Sequence, residues 1–265
     1  MEHTSEYYRT KALNILVNGL AALFFLCCLA YAGYSLWDNW HVLSAADSIR
    51  DDLVAYRPTN EENLSYSFQE LMALNPDVCA WINIDNTDID YPVVQGEDNF
   101  EYLDKNALGE DSASGSIFLD YQNSPDFTDF YTILMGHHMQ GGKMFGDMDL
   151  FMDETFFREN VTGTLYLPDR ILQLETAAFI SADAYDKYLY RTDWSSGESR
   201  RELISYIYDT AVYIRGETLT PDDQIISLST CASGSTNARM LLICRVTGVS
   251  YAEEGSEDNI YEPNN

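Results

Sequence analysis

Apolar and polar positions alternate in four different ways along the chain. Residues 12–37 carry no charged side chain. Within them the run from Leu13 to Gly33 approaches the roughly 20 apolar residues that a helix needs to cross a bilayer. It is longer than a signal-peptide core and no small-residue cleavage pattern closes it, so it predicts an uncleaved transmembrane anchor. Residues 38–65 turn polar and predict a partly helical juxtamembrane stalk that ends near Arg57–Pro58. Phe68, Leu71, Met72 and Leu74 then form a short helical stripe that stops before Pro76.

From Trp81 onward the apolar period shortens to two. Strand-like runs occupy 81–84, 89–94, 116–119, 131–135, 164–167, 171–180, 224–230 and 240–246. The first two are separated by Asp85–Asn86–Thr87–Asp88, a turn composition. Strands this short and unevenly spaced predict a mainly β fold, a closed or nearly closed antiparallel-rich barrel of about eight strands. One helix interrupts the series. Leu203, Ile204, Ile207, Ala211 and Ile214 recur at helical spacing after the cap-forming Ser195–Ser196–Gly197–Glu198, which predicts a helix over 198–214. The expected organisation is therefore a tail at 1–11, an anchor at 12–37, a stalk at 38–65, one domain at 66–250 and a disordered acidic tail at 251–265.

Charge fixes an orientation and removes one class of partner. Arg9 and Lys11 precede the apolar run, whereas Asp38, Asp47, Asp51 and Asp52 follow it with only Arg50 against them. The positive-inside rule then sets the N-terminus in the cytoplasm and the main domain outside. Over the whole chain 43 acidic residues oppose 15 basic ones, a formal charge of -28. Nucleic acid is excluded as a partner, because its binding rests on cationic contacts.

Five cysteines do not make a disulfide framework. Cys27 and Cys28 lie in the apolar run, and Cys79 and Cys244 read as small buried hydrophobes. Cys231 differs, standing at the end of the strand-like run Ile225–Thr230. A second run, Tyr131–Met135, ends in Gly136–His137–His138, and Arg239 opens the run that follows Cys231. A thiol, an imidazole and a guanidinium at strand ends are the components of acyl transfer through a thiolate. If the strands on either side of residues 232–238 pair antiparallel, Cys231 and Arg239 face each other at the hairpin mouth. Arg245 then lies about 20 Å down the strand. His137 and His138 take opposite faces of a continued strand, and composition does not choose between them. No EF-hand loop, His-Glu-x-x-His or paired cysteine ligands occur, so neither a metal nor an organic cofactor is expected.

The blocks Leu228–Ser229–Thr230–Cys231 with Arg239, preceded by Gly136–His137, resemble the sortases. Trp81–Ile84 with Ile89–Gly96, Gly115–Asp120 and Lys143–Asp147 resemble class B sortases in particular, over roughly residues 66–250. The resemblance implies a sortase-like β-barrel with N-terminal helices and a helical insertion before the strand that carries the catalytic cysteine. It selects His137 over His138 and implies a catalytic set of His137, Cys231 and Arg239. It also implies a substrate groove lined by Ser229, Thr230, Tyr188, Leu189 and Tyr190. The implied reaction is cysteine transpeptidation without a cofactor. Surface proteins are cut at the Thr-X bond of an Asn-Pro-x-Thr-Asn-like C-terminal sorting signal, and the acyl group passes to an amine of peptidoglycan or its lipid-linked precursor. The enzyme is expected as a single-pass protein of the cell membrane with its catalytic domain extracellular. Rival readings are a pilin polymerase that uses a lysine amine, or a catalytically idle peptide-binding barrel.

Overall fold

A computed structural model of the chain describes residues 2–216, 219–231 and 237–252, and for Cys231 the backbone position alone. Most of the expected acidic tail, and residues 232–236 of the expected hairpin loop, lie outside the described residues. The chain divides into two compact units, residues 1–44 and 45–265. The first lies within the range of helix α1 (Glu2–Val54). Its stretch Tyr7–Ser44, 38 residues long, is long and apolar enough to cross a membrane.

The second unit is built on nine strands, β1 (Val78–Ile84), β2 (Asp90–Val94), β3 (Ile117–Leu119), β4 (Tyr131–His137), β5 (Thr162–Tyr166), β6 (Arg170–Asp183), β7 (Ala211–Ile214), β8 (Ile225–Cys231) and β9 (Ala238–Tyr251). They form one sheet in the order β5-β1-β2-β3-β4-β8-β9-β6-β7, and β5 also pairs with β6. That last pairing closes eight strands into a barrel and leaves β7 as an outer addition to β6. Closure satisfies the backbone groups that an open sheet would leave at its edges. The eight expected strands are all present. Two pairings, β2–β3 and β4–β8, are parallel; the others are antiparallel.

Alternation along each strand sorts side chains between the barrel interior and two outer layers. Ile82, Ile84, Val93, Leu134, Phe145, Leu165, Leu228 and Leu242 fill the interior. Ile133, Ile180, Ile225, Leu241 and Ile243 form an outer layer with Leu203 and Ile207 of helix α4 (Gly197–Thr210). On the other side, Leu64, Phe68 and Leu71 of helix α2 (Leu64–Leu74) pack with Trp81, Val94 and Phe118. The end of the segment expected as a stalk, from Leu53 onward, joins this third layer. Leu53 is 2% exposed. Arg57 Nη1 lies 3.0 Å from Asp90 Oδ2, while Asp90 Oδ1 accepts from Trp81 Nε1 at 2.7 Å.

The insertion between β6 and β8 differs from expectation. Ser196 caps α4, accepting from Ser199 N at 3.1 Å while Ser199 Oγ accepts from Ser196 N at 3.3 Å. The helix ends at Thr210, not at 214, and residues 211–214 are β7, with Ala178, Phe179 and Ile180 of β6 facing Ile214, Tyr213 and Ala211. Val212, Tyr213 and Ile214 are the β-branched and aromatic residues that favour an extended chain. A spacing shared by Ala211 and Ile214 does not outweigh an available strand partner.

Candidate active site

Strands β4, β8 and β9 lie side by side, with β8 in the centre. In the parallel β4–β8 pair the register runs from Tyr131 opposite Ile225 to His137 opposite Cys231. Neighbouring strands are about 4.8 Å apart, so the two positions adjoin although 94 residues separate them in sequence. On the other side, the antiparallel β8–β9 register runs from Ile225 opposite Arg245 to Ser229 opposite Leu241. Continued by two residues, it sets position 231 opposite Arg239. All three positions then share the barrel's outer face, the one that carries Ile133, Ile225 and Leu241. Arg239 is half-buried, Nη1 donating to Ala238 O at 3.4 Å. Arg245 is elsewhere, its Nη2 on Glu175 Oε2 at 2.8 Å.

The local sequence holds His137 from three directions. Gly136 leaves no room for a side chain: a Cβ there would strike Ile117 Cδ1 and stand 3.0 Å from Phe145 Cδ2. Phe145 N donates to His137 O at 3.0 Å, which returns the chain alongside the strand end. His137 Nε2 lies 2.7 Å from Leu103 O. His137 Nδ1 is buried and has no hydrogen-bond partner among the described residues. His138, on the other strand face, pairs with Asp149 Oδ2 at 2.9 Å.

No family model matches the chain. Sortase B of Listeria monocytogenes is 30% identical over 224 residues, 83% of this chain and 89% of the relative. The chain belongs to the class B sortases. Solved structures agree. A mutant form of Clostridium perfringens sortase B has a TM-score of 0.70 at 30% identity, over 75% of this chain and 96% of that one. A Streptococcus pyogenes class B sortase involved in pilus biogenesis has a TM-score of 0.61 at 36% identity, over 68% of this chain and 97% of that one. The sortase is a cysteine transpeptidase of the cell wall.

The residues expected to line the sortase groove separate into four environments. Ser229 Oγ and Tyr190 OH are 2.8 Å apart, a bond that ties the segment after β6 to the strand leading to Cys231. Tyr188 is 43% exposed, with its ring stacked 4.7 Å from that of Tyr206. Leu189 needs correction as a groove residue. It is 0% exposed and belongs to the layer under α4, so its side chain is core and its carbonyl accepts from Tyr131 OH at 3.1 Å. Thr230 is buried and alternates to the opposite face from Ser229; its Oγ1 accepts from Met240 N at 3.1 Å, joining β8 to β9.

Two features of the site escape a reading of the sequence. The carbonyl of Leu103 has no side-chain signature. The second is Gly115, which opens one of the blocks that resemble class B sortases. It has φ +59°, and a Cβ there would stand 2.6 Å from Leu103 O and 3.0 Å from His137 Cδ2. Two cysteines are set apart from this chemistry. Burial pushes the thiols of Cys79 and Cys244 up to about 12, and Cys244 is in the barrel interior.

Proposed function

We propose that this sortase cuts a C-terminal sorting signal of the Asn-Pro-x-Thr-Asn type at its Thr-X bond and passes the acyl group to an amine of peptidoglycan or its lipid-linked precursor. Cys231 is the nucleophile in this reading. Its thiolate adds to the threonine carbonyl carbon, the C–N bond breaks, and the departing nitrogen takes a proton from His137. The thioester that remains is attacked by the incoming amine, which gives a proton back to His137 as the Cys231 thiolate leaves. Arg239 offsets the negative charge on the carbonyl oxygen in both halves. Tyr190 and the exposed face of Tyr188 border the groove, and Ser229, itself buried, holds the Tyr190 hydroxyl from beneath.

The observation that carries this reading is the pairing of His137 with Cys231 in the β4–β8 register, with Arg239 next in the sequence of strands. The apolar stretch Tyr7–Ser44 supports a single-pass membrane anchor, and Arg9 and Lys11 before it support a cytoplasmic N-terminus. The domain after about residue 66 then faces the cell wall, where protein substrate and amine meet. The test is a quenched-fluorophore sorting peptide incubated with the full chain in detergent, with and without a cell-wall amine. Wild type should release the C-terminal fragment and, with amine, yield the ligated peptide. Full activity in Cys231→Ala or His137→Ala would refute the nucleophile and acid–base roles. The S. pyogenes relative in pilus biogenesis favours one second reading, a lysine side chain as the accepting amine. A lysine peptide that outcompetes the cell-wall amine for the thioester would establish it.

A further inference from the structure

His137 is held by a carbonyl that reaches it only because residue 115 is glycine. The Leu103 oxygen is 2.7 Å from His137 Nε2, and a carbonyl oxygen only accepts hydrogen bonds. Nε2 therefore carries a hydrogen in every protonation state that keeps this bond. In the neutral ring the other nitrogen, Nδ1, is then bare. It is also the nitrogen that is buried without a partner among the described residues.

The carbonyl belongs to a turn that wraps against the start of β3. Leu103 N donates to Phe100 O at 3.2 Å, Ser116 N to Tyr102 O at 3.0 Å, and Ser116 Oγ to Lys105 O at 2.8 Å. These bonds bring the turn onto residue 115. There a Cβ would lie 2.6 Å from Leu103 O, 2.9 Å from Tyr102 O and 3.0 Å from His137 Cδ2. At φ +59° any other residue is also strained. Steric space and backbone conformation thus both demand glycine at the point where the carbonyl meets the ring.

We infer that the Leu103 carbonyl and Gly115 are positioning groups that lock His137 as the Nε2–H tautomer and make Nδ1 the atom that exchanges the proton with the departing and incoming amines. This rests on the acid–base role proposed for His137. Through one turnover the proton on Nε2 stays on Leu103 O. The proton on Nδ1 goes to the departing nitrogen as the C–N bond breaks, and one from the attacking amine returns to Nδ1. The ring neither rotates nor changes tautomer between the two half-reactions.

The experiment is nitrogen NMR of the full chain in detergent with 15N-labelled histidine rings, the His137 signals being assigned by their loss in His137→Gln. At a pH where the ring is neutral, His137 should show a protonated Nε2 and a bare Nδ1. Gly115→Ala should mix or reverse that pattern. It should also lower kcat by about a hundredfold, the low end of what a positioned acid–base group contributes, with KM changed by less than about threefold. A second perturbation removes no side chain and adds none. Replacing Asp104 by its α-hydroxy acid turns the Leu103 carbonyl into an ester, a weaker acceptor, and should shift the tautomer and kcat in the same direction. It decides the matter if Gly115→Ala does not fold. Wild-type His137 found protonated at Nδ1 and bare at Nε2, or either perturbation leaving both tautomer and kcat unchanged, overturns the inference. Failure of the acid–base role is a separate result, full activity in His137→Ala, which the NMR pattern does not depend on.

Discussion

Arginine-to-lysine substitutions at 239 and 245 test the geometry of the site with charge held constant. Both residues are on β9, both keep a positive charge as lysine, and they are six positions apart, about 20 Å at about 3.3 Å per residue. Arg239 follows Cys231 in the continued β8–β9 register, whereas Arg245 faces Ile225 at the far end of the pair. A guanidinium offers a planar fork of donors that can hold an oxyanion and a backbone carbonyl together; an ammonium is a point charge on a flexible stem. Loss of one preorganised oxyanion donor costs about 3 kcal/mol, which is about a hundredfold in rate. Arg239→Lys should therefore lower kcat/KM for the sorting peptide by about that factor. Its melting temperature should stay close to wild type, because its one described side-chain bond is at 3.4 Å to the neighbouring Ala238 carbonyl.

Arg245→Lys should show the reverse profile. Its side chain is 26% exposed and that of its partner Glu175 is 30% exposed. A pair this accessible to solvent is worth about 1 kcal/mol or less, and lysine retains part of it. At about 2–4 °C per kcal/mol for a domain of this size, the melting temperature should fall by no more than about 4 °C. Turnover should be within about twofold of wild type, since nothing in the reaction touches residue 245. The assay is peptide cleavage and amine ligation under saturating and limiting substrate, with a thermal melt of each variant. Full activity in Arg239→Lys, or greater damage from Arg245→Lys, would refute the reasoning from register.

Three further outcomes follow from particular contacts. Arg215 caps helix α3 (Glu154–Glu159), donating to the carbonyls of Phe157, Arg158 and Asn160 and, from β7's end, to Thr176 O at 2.9 Å. Arg215→Met should lower stability by about 3 kcal/mol and the melting temperature by about 6–12 °C, with kcat at room temperature unchanged. Tyr190→Phe removes the bond to Ser229 Oγ and should raise KM by about fivefold with kcat nearly constant, the loss of about 1 kcal/mol from the loop that borders the groove; a fall in kcat with KM unchanged would contradict that role. Because burial raises the Cys79 and Cys244 thiols to about 12, thiolate is scarce at both below that pH, and alkylation of the folded enzyme at pH 8 followed by peptide mass mapping should mark Cys231 and leave those two unmodified.

What could be read from the sequence was carried by local chemistry. Alternation marks Tyr131–Met135 and Ile225–Thr230 as strands because each strand face meets a different layer, Leu134 and Leu228 inside, Ile133 and Ile225 outside. The serine cap announces α4, since an unpaired helix N-terminus needs an acceptor within four residues. What escaped depends on residues distant in sequence. Strand β7 exists because β6 offers it an edge. The β5–β6 pairing that closes the barrel has no signature in either strand alone. Leu189 and Tyr190 are adjacent and both apolar in character, and only the packing of the loop decides that Leu189 is buried while Tyr190 reaches Ser229. Backbone atoms escape most completely, as the Leu103 carbonyl does.

The parallel pairing of β4 with β8 explains how one sheet serves this chemistry. A parallel pair cannot be joined by a tight turn; in this chain α3, β5, β6, α4 and β7 all intervene between its strands. That detour is long, yet the register must hold to a single residue. A slip by one position would move Cys231 to the interior face while His137 stayed outside. The same slip would also move Ile226 and Leu228, both fully buried, from the barrel interior to the outer layer and bring Ser227 and Ser229, already buried in that layer, into the interior. The interior would then exchange two large aliphatic side chains for two small polar ones, and Ser229 would lose the Tyr190 hydroxyl 2.8 Å from its own, a bond worth about 1 kcal/mol. The two faces of β8 are thus not interchangeable although both are buried, and that difference holds position 231 beside His137.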